Sequence, residues 1–182
     1  MAMALKNNQV CIKGVVGFPS LFEKDRNGKY SVTVFIPKDD EETLGRVHKA
    51  IDAAMENGRD KLVMKNGKIP SDIRKPVRDG DDKEYDGYAG NYYITSSANR
   101  VKRVVDRHNT LICDPQEIYG GCICNVVISF AAYSHPSGGK GIGAYLDGLQ
   151  KVKDGKRLGG GDFNSFEDLG EDGDDNDFFA ED

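Results

Sequence analysis

Four aromatic residues, Phe35, Tyr93, Tyr133 and Tyr145, stand in stretches of alternating apolar and polar residues, each on the polar phase. Rings set among small polar side chains on a sheet face offer flat surfaces for nucleobases, at about 1–3 kcal/mol per stacked base. Basic residues adjoin the same stretches. Arg100, Lys102, Arg103 and Arg107 fall within eight positions, and Lys140 sits in a glycine-rich turn. Lys151, Lys153, Lys156 and Arg157 follow the last alternating stretch, and Lys13 lies opposite the apolar phase of the first. Lysine and arginine in such places track phosphates. Charge runs on their own mark a solvated face; adjacency to the aromatic strands is what favours nucleic acid. Tyr88, in a long charged loop, extends the aromatic set.

Other chemistries fail on spacing. SGGKGIG lacks the phosphate-loop pattern, because Ser134 stands where the first glycine belongs and Gly141 follows the lysine in place of Ser or Thr. Gly141 and Gly143 are followed by Leu146 where a dinucleotide fingerprint needs its third glycine. The dense carboxylates Asp79, Asp81, Asp82, Glu84 and Asp86 share a loop with Gly and Tyr, a composition suited to a solvated flap. Cys122-x-Cys124 has no histidine or second cysteine pair at zinc-site spacing, and shares a strand face with Val126, Ile128 and Phe130. It reads as core. His48 has no partner and reads as a surface residue. The expectation is a binding protein with no catalytic residues, no cofactor and no metal.

The elements that must position these residues are mostly strands. QVCIKGVVGF (9–18) and GKYSVTVFIP (28–37) alternate as a strand pair, with Asn27-Gly28 as a turn signal. DDEETLGRVHKAIDAAMENG (39–58) is the one helix, acidic in its first turn, with Leu44, Val47, Ile51 and Ala54 at helical spacing. The glycine- and proline-bearing stretch 70–90 is a long loop, functional or mobile. NYYITSSA (91–98), GCICNVVISFAAYSH (121–135) and GIGAYLDGLQKVKDG (141–155) are further strands, and 101–110 is ambiguous between strand and turn. Gly148 marks a bulge. On the second strand Tyr30, Val32, Val34 and Ile36 face the core, so Ser31, Thr33 and Phe35 face away. The fold class is mainly β: an OB-fold-like five-stranded Greek-key barrel with one helix, long loops and a disordered acidic tail.

Charge divides the chain into a domain of residues 1–161 and a tail of residues 162–182. The chain holds 25 basic and 30 acidic residues; the tail takes ten acids and no base, leaving the first 161 residues at +5. The tail has too little apolar surface to order itself, yet it carries Phe163, Phe166, Phe178 and Phe179. No signal peptide and no apolar run long enough to span a bilayer is present, so the protein is expected in the host cytoplasm with reduced thiols.

GKYSVTVFIPK, the Tyr-Tyr strand after the helix and charged loop, and HPSGGKGIGAYLDGLQKVKDGKRLGGG resemble phage-encoded single-stranded DNA-binding proteins over nearly the whole chain. The segment from Gly141 to Gly161 is the most specific, similar to that family's G-I-x-A-x-L-x-x-(V/L)-Q strand and D-G-x-x-L-G-G sequel. The resemblance implies an OB-fold, non-enzymatic protein that coats single strands during replication and recombination. It also implies an acidic tail that recruits replication or recombination proteins, with Phe178 and Phe179 as the contact. In several such tails an aromatic is the final residue; here Ala-Glu-Asp follows Phe179. A tail opposed to a basic body can also compete with DNA for the groove. A homo-oligomer is compatible with this reading. The alternative is an OB-like protein–protein adaptor or virion component without nucleic-acid binding.

Overall fold

Residues 4–137 and 139–158 are described by a computed structural model. Alternating β-branched and aromatic residues form the long strands of a seven-stranded sheet: β1 Gln9–Ser20, β2 Tyr30–Pro37, β3 Arg78–Asp79, β4 Asn91–Ala98, β5 Arg103–Val105, β6 Ile123–His135 and β7 Gly139–Lys153. β1 pairs antiparallel with β2 and β6, β2 with β4, and β6 with β7. A parallel contact of Ser97 with Tyr145 joins β4 to β7 and closes five strands into an OB-fold-like barrel. The two short strands are accessories. β3 pairs with the outer edge of β4 at Tyr92 and Tyr93, and β5 runs parallel to β7 at Gly148–Gln150.

The core follows the apolar phases. Ile12, Val32, Val34, Ile94, Cys122, Cys124, Val126, Ile128 and Phe130 are all fully buried inside the barrel. A fully buried Val, Ile or Phe of this kind contributes about 1.5–3 kcal/mol. The helix α1, Glu41–Asn57, packs on β6 and β1 through Val47, Ala50, Ile51 and Ala54. Asp40 caps it by accepting a hydrogen bond from the Thr43 amide at 3.1 Å. Gly58 ends it where a Cβ would lie 2.5 Å from that of Ala132, and the one-turn α2, Arg59–Leu62, follows. Among the described residues no helix is long and apolar enough to cross a membrane.

Several expectations are refined. β1 continues to Ser20 through a bulge, with one extra residue between Gly17 and Ser20. In 101–110 only Arg103–Val105 is a strand, and a turn follows. The bulge expected at Gly148 sits beside it: Val127 pairs with Gly148 and Ile128 with Leu146, so Asp147 is the extra residue. One expectation is corrected. The face of β2 opposite the core is not open, since Ser31, Thr33 and Phe35 are as buried as their neighbours. Tyr88 packs over Phe35, while Ser31 and Thr33 lie sunken at the base of a depression. The proposed tail, 162–182, with Phe163, Phe166, Phe178 and Phe179, lies outside the described residues, as does the boundary before it.

Candidate nucleic-acid interface

The outer face of β4 and β7 bears a cleft of about 460 Å³. Tyr93, Thr95 and Ser97 alternate along its β4 wall, and Tyr133, Gly143 and Tyr145 form the wall from β6 and β7. An extended strap, residues 74–78, crosses its mouth. The Arg74 amide donates to the Lys140 carbonyl at 3.1 Å, and the Ile142 amide donates to the Arg74 carbonyl at 2.9 Å. At the other end Arg78 pairs with Tyr93. Gly141 permits the crossing, because a Cβ there would lie 2.7 Å from the Arg74 carbonyl oxygen and 2.8 Å from the Tyr133 hydroxyl. Gly143 has a comparable part: a Cβ would sit 2.9–3.0 Å from the Tyr145 ring and hydroxyl, so the ring lies over the bare strand. Tyr145 remains 41% exposed.

The strap gives the cleft its charge. Arg74, Lys75 and Arg78 line it together with Lys29 from the β1–β2 turn. The ion pairs found among the described residues belong to Lys38 and Lys151, and none is made by these four cations with another described residue. The site therefore joins three tyrosines, four cations and a floor of hydroxyls. Rings stack bases, cations meet phosphates, and Ser and Thr hydroxyls accept or donate without demanding one base.

Beside the cleft a flap, residues 80–90, folds over β2. Its Tyr88 stands edge-on to Phe35 (centroids 4.9 Å, 82°) and to Tyr93 (4.8 Å, 85°). Val15 and Leu158 complete this outer cluster. The Tyr88 phenol is held above its ordinary value, first by burial and then by its neighbours Tyr93 and Tyr85, with a hydrogen bond to Thr33 opposing. Lys38 anchors the flap, reaching Asp79 at 2.7 Å and Asp81 at 2.5 Å. Asp81 also accepts from the Gly90 amide at 2.7 Å. Gly80 is required at the hinge, since a Cβ would meet the Tyr88 carbonyl oxygen at 2.0 Å.

The predicted site residues therefore divide. Tyr93, Tyr133 and Tyr145 come together in the cleft, Tyr145 as its open ring and Tyr93 as a mostly buried wall, 7% exposed and in T-shaped contact with Tyr88. Phe35 and Tyr88 do not offer open rings: Phe35 is 2% exposed, and both are consumed by edge contacts within the cluster. Lys13 and Lys153 meet at the rim of a neighbouring depression floored by Phe35 and Leu158. Lys140 donates to the Val63 carbonyl at 2.8 Å and is turned toward the end of α2. Lys151 is committed to Glu117 (3.3 Å) and Asp154 (2.7 Å), with its side chain only 12% exposed. Arg100, Lys102, Arg103 and Arg107 are absent from the cleft lining; Arg103 lies on β5 beside Gly148.

Sequence reasoning missed Lys29, Arg74, Lys75 and Arg78. The one available signal was the density of bases in the Arg74–Arg78 stretch of the charged loop. It also missed Phe18 and Tyr85, exposed aromatics at the flap. The cysteine pair is core, as its strand phase implies: the two sulfurs lie 3.5 Å apart and are fully buried. Among the described residues no group of three or more His, Cys, Asp or Glu could hold a metal ion.

A family model described as the ssDNA-binding protein of Enterobacter phage Enc34 matches residues 8–179. Protein p50 of Acyrthosiphon pisum secondary endosymbiont phage 1 is 33% identical over 176 residues, covering 92% of either chain. The solved single-stranded DNA-binding protein from bacteriophage Enc34 is similar at TM-score 0.65 and 25% identity, over 88% of this chain and 92% of that one. The same protein in complex with ssDNA gives TM-score 0.65 and 27% identity, over 87% and 97%. The single-stranded DNA-binding protein gp2.5 of bacteriophage T7 shares the fold at TM-score 0.56 and 17% identity, over 89% and 97%.

Proposed function

This chain belongs to the family of the Enterobacter phage Enc34 ssDNA-binding protein, and from that premise we propose that it binds single-stranded DNA across the outer face of β4 and β7. The observation that carries the reading is the convergence of Tyr93, Tyr133 and Tyr145 with Lys29, Arg74, Lys75 and Arg78 in one cleft. Its activity is binding, not turnover. Bases stack on the rings, and phosphates run between the strap cations and Lys29. The hydroxyl floor of Thr95 and Ser97 tolerates any sequence. A duplex keeps its bases paired and stacked, so it meets only the cations and binds more weakly.

The finer parts of the role belong to the same proposal. The protein coats single strands during phage replication and recombination inside the host cytoplasm. Its acidic residues 162–182 recruit replication or recombination proteins through Phe178 and Phe179. The same ten carboxylates compete with DNA for the cleft cations. The test is a titration of labelled oligothymidine against salt, with a duplex of equal length beside it. Tight binding to the single strand that weakens steeply with salt is expected. Absence of binding at low salt overturns the reading in favour of a protein–protein adaptor.

A further inference from the structure

We propose that Phe18 and Tyr85 form a second base-stacking subsite across β2 from the cleft, and that one DNA strand occupies both. The inference rests on the proposed single-strand binding and extends its path. Phe18 is 56% exposed and Tyr85 66%, yet the two rings are held together in edge contact, 6.1 Å apart at 80°. Both also touch Tyr88, at 6.0 and 6.3 Å. Neither ring is there by default. Phe18 takes a positive φ of 48° at the β1 bulge, a conformation that bulky side chains avoid. Tyr85 is presented by the flap that Lys38, Asp79 and Asp81 pin in place. Aromatics set out this way, open to solvent on a fastened support, suit a flat ligand.

The surroundings repeat the cleft's composition. A depression of about 570 Å³ beside the two rings is lined by the cations Arg26 and Lys83 and by the hydroxyls of Ser31 and Thr33. The carboxylate lining it, Asp25, accepts from the Asn27 and Lys29 amides and the Ser31 hydroxyl at 2.7–3.1 Å. The two sites also share a floor. Ser31 pairs with Ser97 and Thr33 with Thr95 across β2 and β4, and the two threonine hydroxyls are 2.8 Å apart. Thr95 and Ser97 line the cleft, while Ser31 and Thr33 line the depression. A strand leaving the cleft across this row of hydroxyls arrives at Phe18 and Tyr85.

Length dependence tests the inference. Anisotropy titrations compare a tetranucleotide and a dodecanucleotide of thymidine on the full chain, on Tyr85→Ala and on Phe18→Asn, asparagine being tolerant of positive φ. Each variant weakens dodecamer binding by about 5- to 150-fold, the loss expected for one stacked base. The tetramer, held in the cleft, keeps its affinity. Tyr145→Ala weakens both lengths. Unchanged dodecamer affinity in Tyr85→Ala and Phe18→Asn overturns the subsite and leaves the patch to a protein partner. Wild-type protein that binds neither oligonucleotide overturns the cleft as well. A measurement independent of variant folding is photocrosslinking of an iodouracil-substituted dodecamer to the wild-type chain. Adducts on the peptides of Phe18 or Tyr85 support the inference, and adducts confined to the cleft tyrosines refute it.

Discussion

Removing a single cation from the cleft has an effect whose size follows from counterion release. On single strands the logarithm of affinity falls with the logarithm of salt at a slope of about −0.7 for each phosphate neutralised. Lys29, Arg74, Lys75 and Arg78 line the cleft. With each meeting one phosphate the slope is about −2.8, so affinity drops about 50-fold between about 50 and 200 mM salt. Arg78→Ala leaves three cations, a slope of about −2.1 and a drop of about 18-fold over the same interval. Arg78 is the suitable position because β3 holds its backbone against Tyr93, and that pairing survives loss of the side chain. Arg103→Ala is the control, as its residue lies on β5 outside the cleft. Anisotropy of labelled oligothymidine at several salt concentrations gives all three slopes. The reasoning is refuted if Arg78→Ala runs parallel to wild type, or if Arg103→Ala flattens the slope as much.

Three further outcomes are expected. Phe35→Ala costs about 3–5 kcal/mol in urea unfolding, the usual loss for a buried phenylalanine, whereas Tyr145→Ala costs about 1–3 kcal/mol of DNA binding and leaves the urea midpoint near wild type. The flap is acid-sensitive. Asp79 is held below the ordinary carboxylate range first by the Lys38 hydrogen bond, and Asp81 first by the Gly90 amide. Their contribution is complete above the unfolded value of about 3.9 and vanishes as pH falls through the lower folded values. Protection of the Gly90 amide, taken relative to its intrinsic exchange rate at each pH, should therefore fall in acid, and Asp81→Asn should bring that loss of protection to neutral pH; equal protection in the variant and wild type at pH 7 counts against the clamp. Deleting residues 162–182 should raise DNA affinity most at low salt, where tail and cleft attract best; unchanged low-salt affinity refutes the competition.

The strands were legible because a period of two survives in a single sequence. Tyr93, Tyr133 and Tyr145 were found by phase alone, since each lies on the side opposite Ile94, Ala132 and Leu146, which are buried. Phase names a side but not what covers it. Phe35 is correctly opposite Val34 and Ile36, yet Tyr88 arrives from a flap more than fifty residues on and shuts its ring away. Phe18 was lost to the bulge, where alternation slips by one residue. Lys151 is held by Asp154, three residues on, and also by Glu117, 34 residues earlier, which no local rule pairs with it. The strap cations illustrate the same point from the other side. Arg74 and Arg78 have no period to announce them; pairing with Gly141 and Tyr93 turns a charged loop into the wall of a site.

Closure of the barrel explains why the binding surface is where it is. β4 and β7 meet at Ser97 and Tyr145, β3 and β5 pair with further lengths of their edges, and the interior is filled by side chains. Recognition is left to the outer face. There the glycines decide which aromatic is available. Gly17 and Gly87 let the flap and β1 close around Phe35, for a Cβ at either would lie 2.8–3.1 Å from its ring. Gly143 and Gly141 lower the strand beneath Tyr145 and the strap, and leave that ring uncovered. One end of the face is thus sealed into a rigid aromatic wedge and the other is kept open. Tyr93 belongs to both, packed in T-shaped contact with Tyr88 and lining the cleft with the small part of its surface left exposed. A base on Tyr145 meets Tyr93 as a fixed wall, held by the sealed cluster behind it. Loosening that cluster with Phe35→Leu should therefore weaken DNA binding even though residue 35 touches no DNA. Unaltered affinity in a variant of measurably lower stability would show that the wedge and the cleft act independently.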